Sequence, residues 1–98
     1  MGKIRWTKKA SYHLKSIYDY IARDSKIYAE QYVKSLIKST KKLEFMPECG
    51  RKVPELEGYF FREIFYKNHR IVYIVKEKNV DILAVIHGAQ DFQKFFSS

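Results

Sequence analysis

Polar and apolar positions along the chain change period twice. Lys3 to Trp6 alternates and is rich in large apolar residues, which predicts a short first strand ended by Thr7, a residue suited to cap a helix. Ala10, Leu14, Ile17 and Ile21 then recur at intervals of four, three and four, so they share one face of an amphipathic helix running to about Arg23. Asp24-Ser25 interrupts that pattern and supplies a second cap. Beyond it Ala29, Val33, Leu36, Thr40 and Leu43 repeat the helical spacing up to Phe45-Met46. Two helices joined so closely form an antiparallel hairpin. Lys34, Lys38, Lys41 and Lys42 make the outer side of the second helix basic, the ordinary composition of a solvated face.

Pro47 and Gly50 end the helix, and Pro54 opposes regular pairing, so Glu48 to Gly58 is expected to be an ordered loop. The period then becomes two. Tyr59 to Tyr66, Arg70 to Lys76 and Val80 to His87 read as three strands whose connections, Lys67-Asn68-His69 and Glu77-Lys78-Asn79, are short enough to demand antiparallel neighbours.

Strand parity places Ile71, Tyr73 and Val75 on one face of the third strand, and Val72 and Ile74 with Arg70 on the other. By the same count Ile82, Ala84 and Ile86 share a face of the fourth, opposite Leu83, Val85 and His87. A sheet apolar on both faces needs cover on both, and one helical hairpin covers only one. The segment Asp91 to Phe96, with Phe92, Phe95 and Phe96 at helical spacing, predicts a short C-terminal helix that supplies part of the second cover. A partner's segment is expected to supply the rest.

The 98 residues suffice for one domain, residues 1–98, and not for two. No apolar run approaches the length of a membrane span, and Met1 to Trp6 lacks a signal peptide's apolar core, which points to the cytoplasm and to no membrane partner. The single cysteine, Cys49, fits a reducing compartment. Nineteen Lys and Arg against eleven Asp and Glu give a net charge of +8, which favours an anionic partner without choosing between nucleic acid, lipid and acidic protein. His13, His69, His87 and Cys49 show no metal-ligand spacing, so neither a metal nor a cofactor is expected.

The order and spacing of several motifs resemble the RelE/ParE toxin superfamily along nearly the whole chain. They are Trp6-Thr7 with Ala10, Leu14 to Ile21 followed by Asp24-Ser25, Pro47 to Leu56, Arg62-Glu63-Ile64, His69 to Tyr73, and His87 to Phe92. The resemblance implies an α+β fold: an N-terminal strand, a helical hairpin packed on an antiparallel β-meander, and a short C-terminal helix. It also implies a toxin of a type II toxin–antitoxin system, held inactive by a cognate antitoxin whose C-terminal segment wraps it.

Two activities occur on that fold, and fold alone does not decide between them. Inhibition of DNA gyrase, as in the ParE branch, is favoured by the first helix and by the aromatic tail beyond His87. The alternative is a metal-independent endoribonuclease of the RelE/YoeB kind, acting on mRNA, often in the ribosome. On that reading Glu55 is the base, Arg70 stabilises the phosphorane charge and His87 is the acid, with Arg51, Lys52 and Arg62 holding phosphates. Gly88 stands where YoeB-like enzymes carry a terminal tyrosine, which counts against the enzyme. Each member of the set also has a structural reading: Arg70 as a fold residue pairing Glu63 or Glu55, Glu55 as a loop residue, and His87 as a local hydrogen-bonding group at a strand end. A third possibility is a non-toxic module that binds an antitoxin or nucleic acid.

Overall fold

The computed structural model describes residues 2–56, 58 and 60–88. Strand β1 (Lys3–Trp6) leads through Thr7 into helix α1 (Lys8–Ala22), and Ser25 starts helix α2 (Lys26–Ser39). A 3-10 turn, Lys41–Glu44, follows. Then come β2 (Arg51–Lys52), a second 3-10 turn at Pro54–Leu56, and the strands β3 (Phe61–Tyr66), β4 (His69–Val75) and β5 (Asn79–His87). The five strands form one sheet in the order β1-β5-β4-β3-β2. Pairing is antiparallel except between β1 and β5, which run parallel from Lys3 opposite Asn79 to Trp6 opposite Ile82.

Both helix starts follow from their side chains. The Thr7 hydroxyl accepts the Ala10 N–H at 3.1 Å and donates to the Ile82 carbonyl at 2.9 Å, so one residue caps α1 and pins it to β5. The Ser25 hydroxyl accepts the Tyr28 N–H at 3.1 Å. Helix α2 stops six residues earlier than the spacing predicts for Phe45. The Thr40 hydroxyl donates to the Ile37 carbonyl at 2.7 Å, and the chain tightens into the 3-10 turn, which still buries Leu43. Tyr32, rather than Val33, is the buried member of the α2 stripe at this turn.

Ala10, Leu36, Leu43, Ile64, Ile71, Tyr73, Val80, Ile82 and Val85 form the larger core between hairpin and sheet. The smaller core lies on the far face, where Val72, Ala84 and Ile86 meet Val53, Leu56 and Phe61. Cover for the second face therefore comes at least in part from the chain's own segment after Gly50. That segment departs from the expected loop: Arg51 and Lys52 pair with Glu63 and Arg62, the Val53 N–H donates to the Phe61 carbonyl at 3.1 Å, and pairing ends only at Pro54, which has no N–H to give. The expected C-terminal helix, with Phe92, Phe95 and Phe96, lies outside the described residues.

Constant parity along β5 does not hold. Val72 faces Ala84 but Tyr73 faces Ile82, so Leu83 is an extra residue, a β-bulge. Before it Val80 and Ile82 point at the hairpin; after it Val85 does, and Ala84 and Ile86 turn to the far face. Expectation had put Ile82, Ala84 and Ile86 together. The bulge separates them and lets one strand feed both cores.

Candidate functional site

Two groups of polar side chains stand on opposite faces of the sheet. On the far face, Arg70 and Glu63 lie on adjacent strands, in β4 and β3, and Glu55 reaches in from the 3-10 turn after Pro54. Arg70 gives Nη1–H and Nη2–H to the two Glu55 oxygens at 2.8 and 2.7 Å, and Nε–H to Glu63 at 2.7 Å. Arg51 gives its Nε–H to the other Glu63 oxygen at 2.7 Å and lies over the Phe65 ring, 5.0 Å from its centroid. Two cations and two carboxylates thus compensate each other.

This pairing sets the titration. The hydrogen bonds from Arg70 hold the Glu55 carboxyl at about 2, well below the ordinary carboxylate range, and the same bonds raise Arg70 further above its ordinary value. A carboxylate so stabilised is a poor proton acceptor. The Arg70 side chain is only 8% exposed, so a phosphate would have to displace Glu55 to reach it.

Arg62 is spent on the chain itself: its Nη1 donates to the carbonyls of Gly50 at 2.8 Å and Glu48 at 3.2 Å. Lys52 is exposed at the sheet edge. Gly50 is held where no side chain fits, since a Cβ there would stand 2.5 Å from Tyr73 Oη and 2.6 Å from the Glu63 carbonyl oxygen. Tyr73 Oη accepts the Gly50 N–H at 2.9 Å and donates to the Pro47 carbonyl at 2.8 Å, fastening this segment to β4.

His87 belongs to the other face. It pairs across the ladder with His69, one position beyond the Arg70–Ile86 pair, and successive strand residues point to opposite sides. The structure therefore brings Glu55 and Arg70 together, and puts His87 across the sheet from them.

What surrounds His87 is a groove of about 720 Å³ between the hairpin and the ends of β4 and β5, lined among others by Tyr12, Tyr20, Tyr28, Tyr32, His13 and His69. Tyr12 and Tyr20 are about 70% exposed. The Tyr32 hydroxyl lies 2.8 Å from His69 Nδ1. Strand β1 ends opposite Ile82, so β5 beyond that point faces α1, and there His13 Nδ1 accepts the Val85 N–H at 3.0 Å. Burial first, and Lys9 second, lower His13; burial and then His87 lower His69. Sequence reasoning did not single out this groove. Its signal was the spacing of Tyr12, Ser16 and Tyr20, one helical row beside the apolar stripe of α1.

Small basic chains with this strand, hairpin and sheet make up the RelE/ParE toxin superfamily. A solved chain described as "Chromosomal ParDE TA system from P. aeruginosa" superposes with a TM-score of 0.76 at 26% identity, over 89% of this chain and 96% of that one. The family model for the ParE toxin of the type II toxin–antitoxin system parDE matches residues 4–92. The chain belongs to that family: it is a ParE-like toxin of a type II toxin–antitoxin system. A search among curated proteins gives no match. Among the described residues no helix is long and apolar enough to cross a membrane.

Proposed function

We propose that this toxin arrests growth by inhibiting DNA gyrase through protein–protein contact in the cytoplasm, and that a cognate antitoxin neutralises it by wrapping the toxin with its C-terminal segment. The observation that carries the choice of activity is the division of the candidate catalytic set. Glu55 and Arg70 satisfy each other on the far face, while His87 stands on the hairpin face. A ribonuclease needs base, charge stabiliser and acid around one phosphate. The antitoxin reading draws on the family, on the net charge of +8 and on the exposed large apolar side chains of the hairpin, Tyr12, Tyr20, Ile27 and Tyr28.

Induced expression tests the proposal. Wild type should produce gyrase-linked DNA breaks or loss of plasmid supercoiling while messages stay intact, and His87→Ala should keep that effect. Message cleavage that disappears with His87→Ala would establish the ribonuclease instead. Absence of any growth effect would leave only the binding module.

A further inference from the structure

His69 begins β4 and His87 ends β5, and the hydrogen bonding around them fixes how close they come. The Gly88 N–H donates to the Asn68 carbonyl at 2.8 Å. In an antiparallel ladder, a bond between the residues flanking a pair marks the pair as non-hydrogen-bonded, the class whose Cα atoms approach to about 4.5 Å and whose side chains lie closest. The two rings are 5.5 Å apart, centroid to centroid, on the same face. Two imidazoles bound to one tetrahedral ion, with metal–nitrogen bonds of about 2.0–2.1 Å, hold their ring centroids roughly 5 Å apart. The rings stand edge to face, their planes crossing at 86°, so the separation is near that of a chelating pair and rotation of the exposed His87 side chain is what would aim both nitrogens at one ion.

We propose that His69 and His87 form a bidentate site for a late first-row divalent cation, with zinc as its representative. The class follows from the ligands: imidazole nitrogen suits zinc, nickel and copper, whereas magnesium and calcium prefer oxygen. Tyr32 plays the part of an orienting residue. With the Nδ1–H of His69 donated to its hydroxyl, Nε2 presents the lone pair, the arrangement by which outer partners fix the tautomer of a ligating histidine.

Access and coordination number follow from the surroundings. His87 is exposed, so a cation arrives directly from solvent, and the groove beside the pair has room for the waters that complete its shell. No group of three His, Cys, Asp or Glu gathers among the described residues, so these supply two ligands and water completes the shell. Bound metal would clip the start of β4 to the end of β5. This inference is independent of the gyrase proposal.

The test uses the full 98-residue chain without an affinity tag, in a Cys49→Ser background because Cys49 is an exposed thiol that would compete for zinc. Zinc chloride is titrated while heat and the imidazole Cε1–H resonances are followed, with magnesium chloride as control. The expected result is saturable one-to-one zinc binding that shifts the His69 and His87 resonances, with no response to magnesium. His87→Ala should abolish saturable binding, and Tyr32→Phe should weaken it by about 10–100-fold. Zinc that moves neither resonance in the Cys49→Ser chain overturns the proposal whatever the variants do, as does equal affinity in a folded His87→Ala chain.

Discussion

The Glu63 carboxylate, its side chain fully buried, receives the Nε–H of Arg70 at 2.7 Å. Removing Arg70 leaves the buried Glu63 with Arg51, itself half-exposed, as its remaining cation, and breaking a buried pair costs up to about 3–5 kcal/mol. Arg70→Met should therefore lower the urea midpoint sharply, through stability alone. A variant stable to within about 1 kcal/mol of wild type would mean that Arg51 alone compensates Glu63.

Arg70→Met consequently confounds loss of fold with loss of chemistry, and the milder Glu55→Gln is the better probe of the same network. Glu55 is partly exposed, and Arg70 also bonds Glu63. The folded carboxyl, at about 2, lies below its ordinary value of 4.5, so its contribution is fully present above pH 4.5 and is lost as pH falls toward 2. Glu55→Gln should flatten the decline of stability over that window. An unchanged acid limb in urea melts would show that the ion pair does not set it.

A second pH dependence has its origin on the hairpin face. His13 and His69 are both lowered, so the unfolded chain binds protons at these positions before the folded one does. Their share of stability is fully present above about pH 6.5 and falls as pH drops toward their folded values. His13→Gln keeps an acceptor for the Val85 N–H without a titrating group. Melts at pH 7.5 and 5.5 should differ less for that variant than for wild type.

Tyr73→Phe removes the hydroxyl that accepts from Gly50 and donates to Pro47. Leaving the buried Gly50 N–H and the part-buried Pro47 carbonyl unsatisfied should cost about 1–3 kcal/mol, measured by urea denaturation. Gly50→Ala should cost more, because its Cβ collides with Tyr73 and with the Glu63 backbone. If the alanine variant were the milder of the two, the segment after Met46 would have to move freely.

Much of the fold was legible because it is written in local signals. Thr7 and Ser25 cap where their side chains announce caps, and the two tight strand connections permit only antiparallel neighbours. The bulge at Leu83 carries no such signal, since Leu83 is neither Gly nor Pro and an apolar stretch on both sides hides the slip of one position. Strand β2 was hidden by its length of two residues and by the proximity of Pro54. Of the candidate site, the residue types were legible but the sides of the sheet were not combined: Arg70 and His87 come from different strands, and only the register of β4 on β5 shows them on opposite faces. The tyrosine groove is similarly assembled from α1, α2 and the ends of two strands.

Strand β1 joins the sheet through β5, and its register sets Lys3 opposite Asn79, a long way along the chain. On the ribosome, then, the first strand to emerge is the last to find its place. The hairpin can form early from local contacts, but the sheet cannot close over it until the final strand has been synthesised, and closing so long a loop delays folding. A nascent or truncated copy that ends before β5 lacks the groove mouth and the anchor for Thr7.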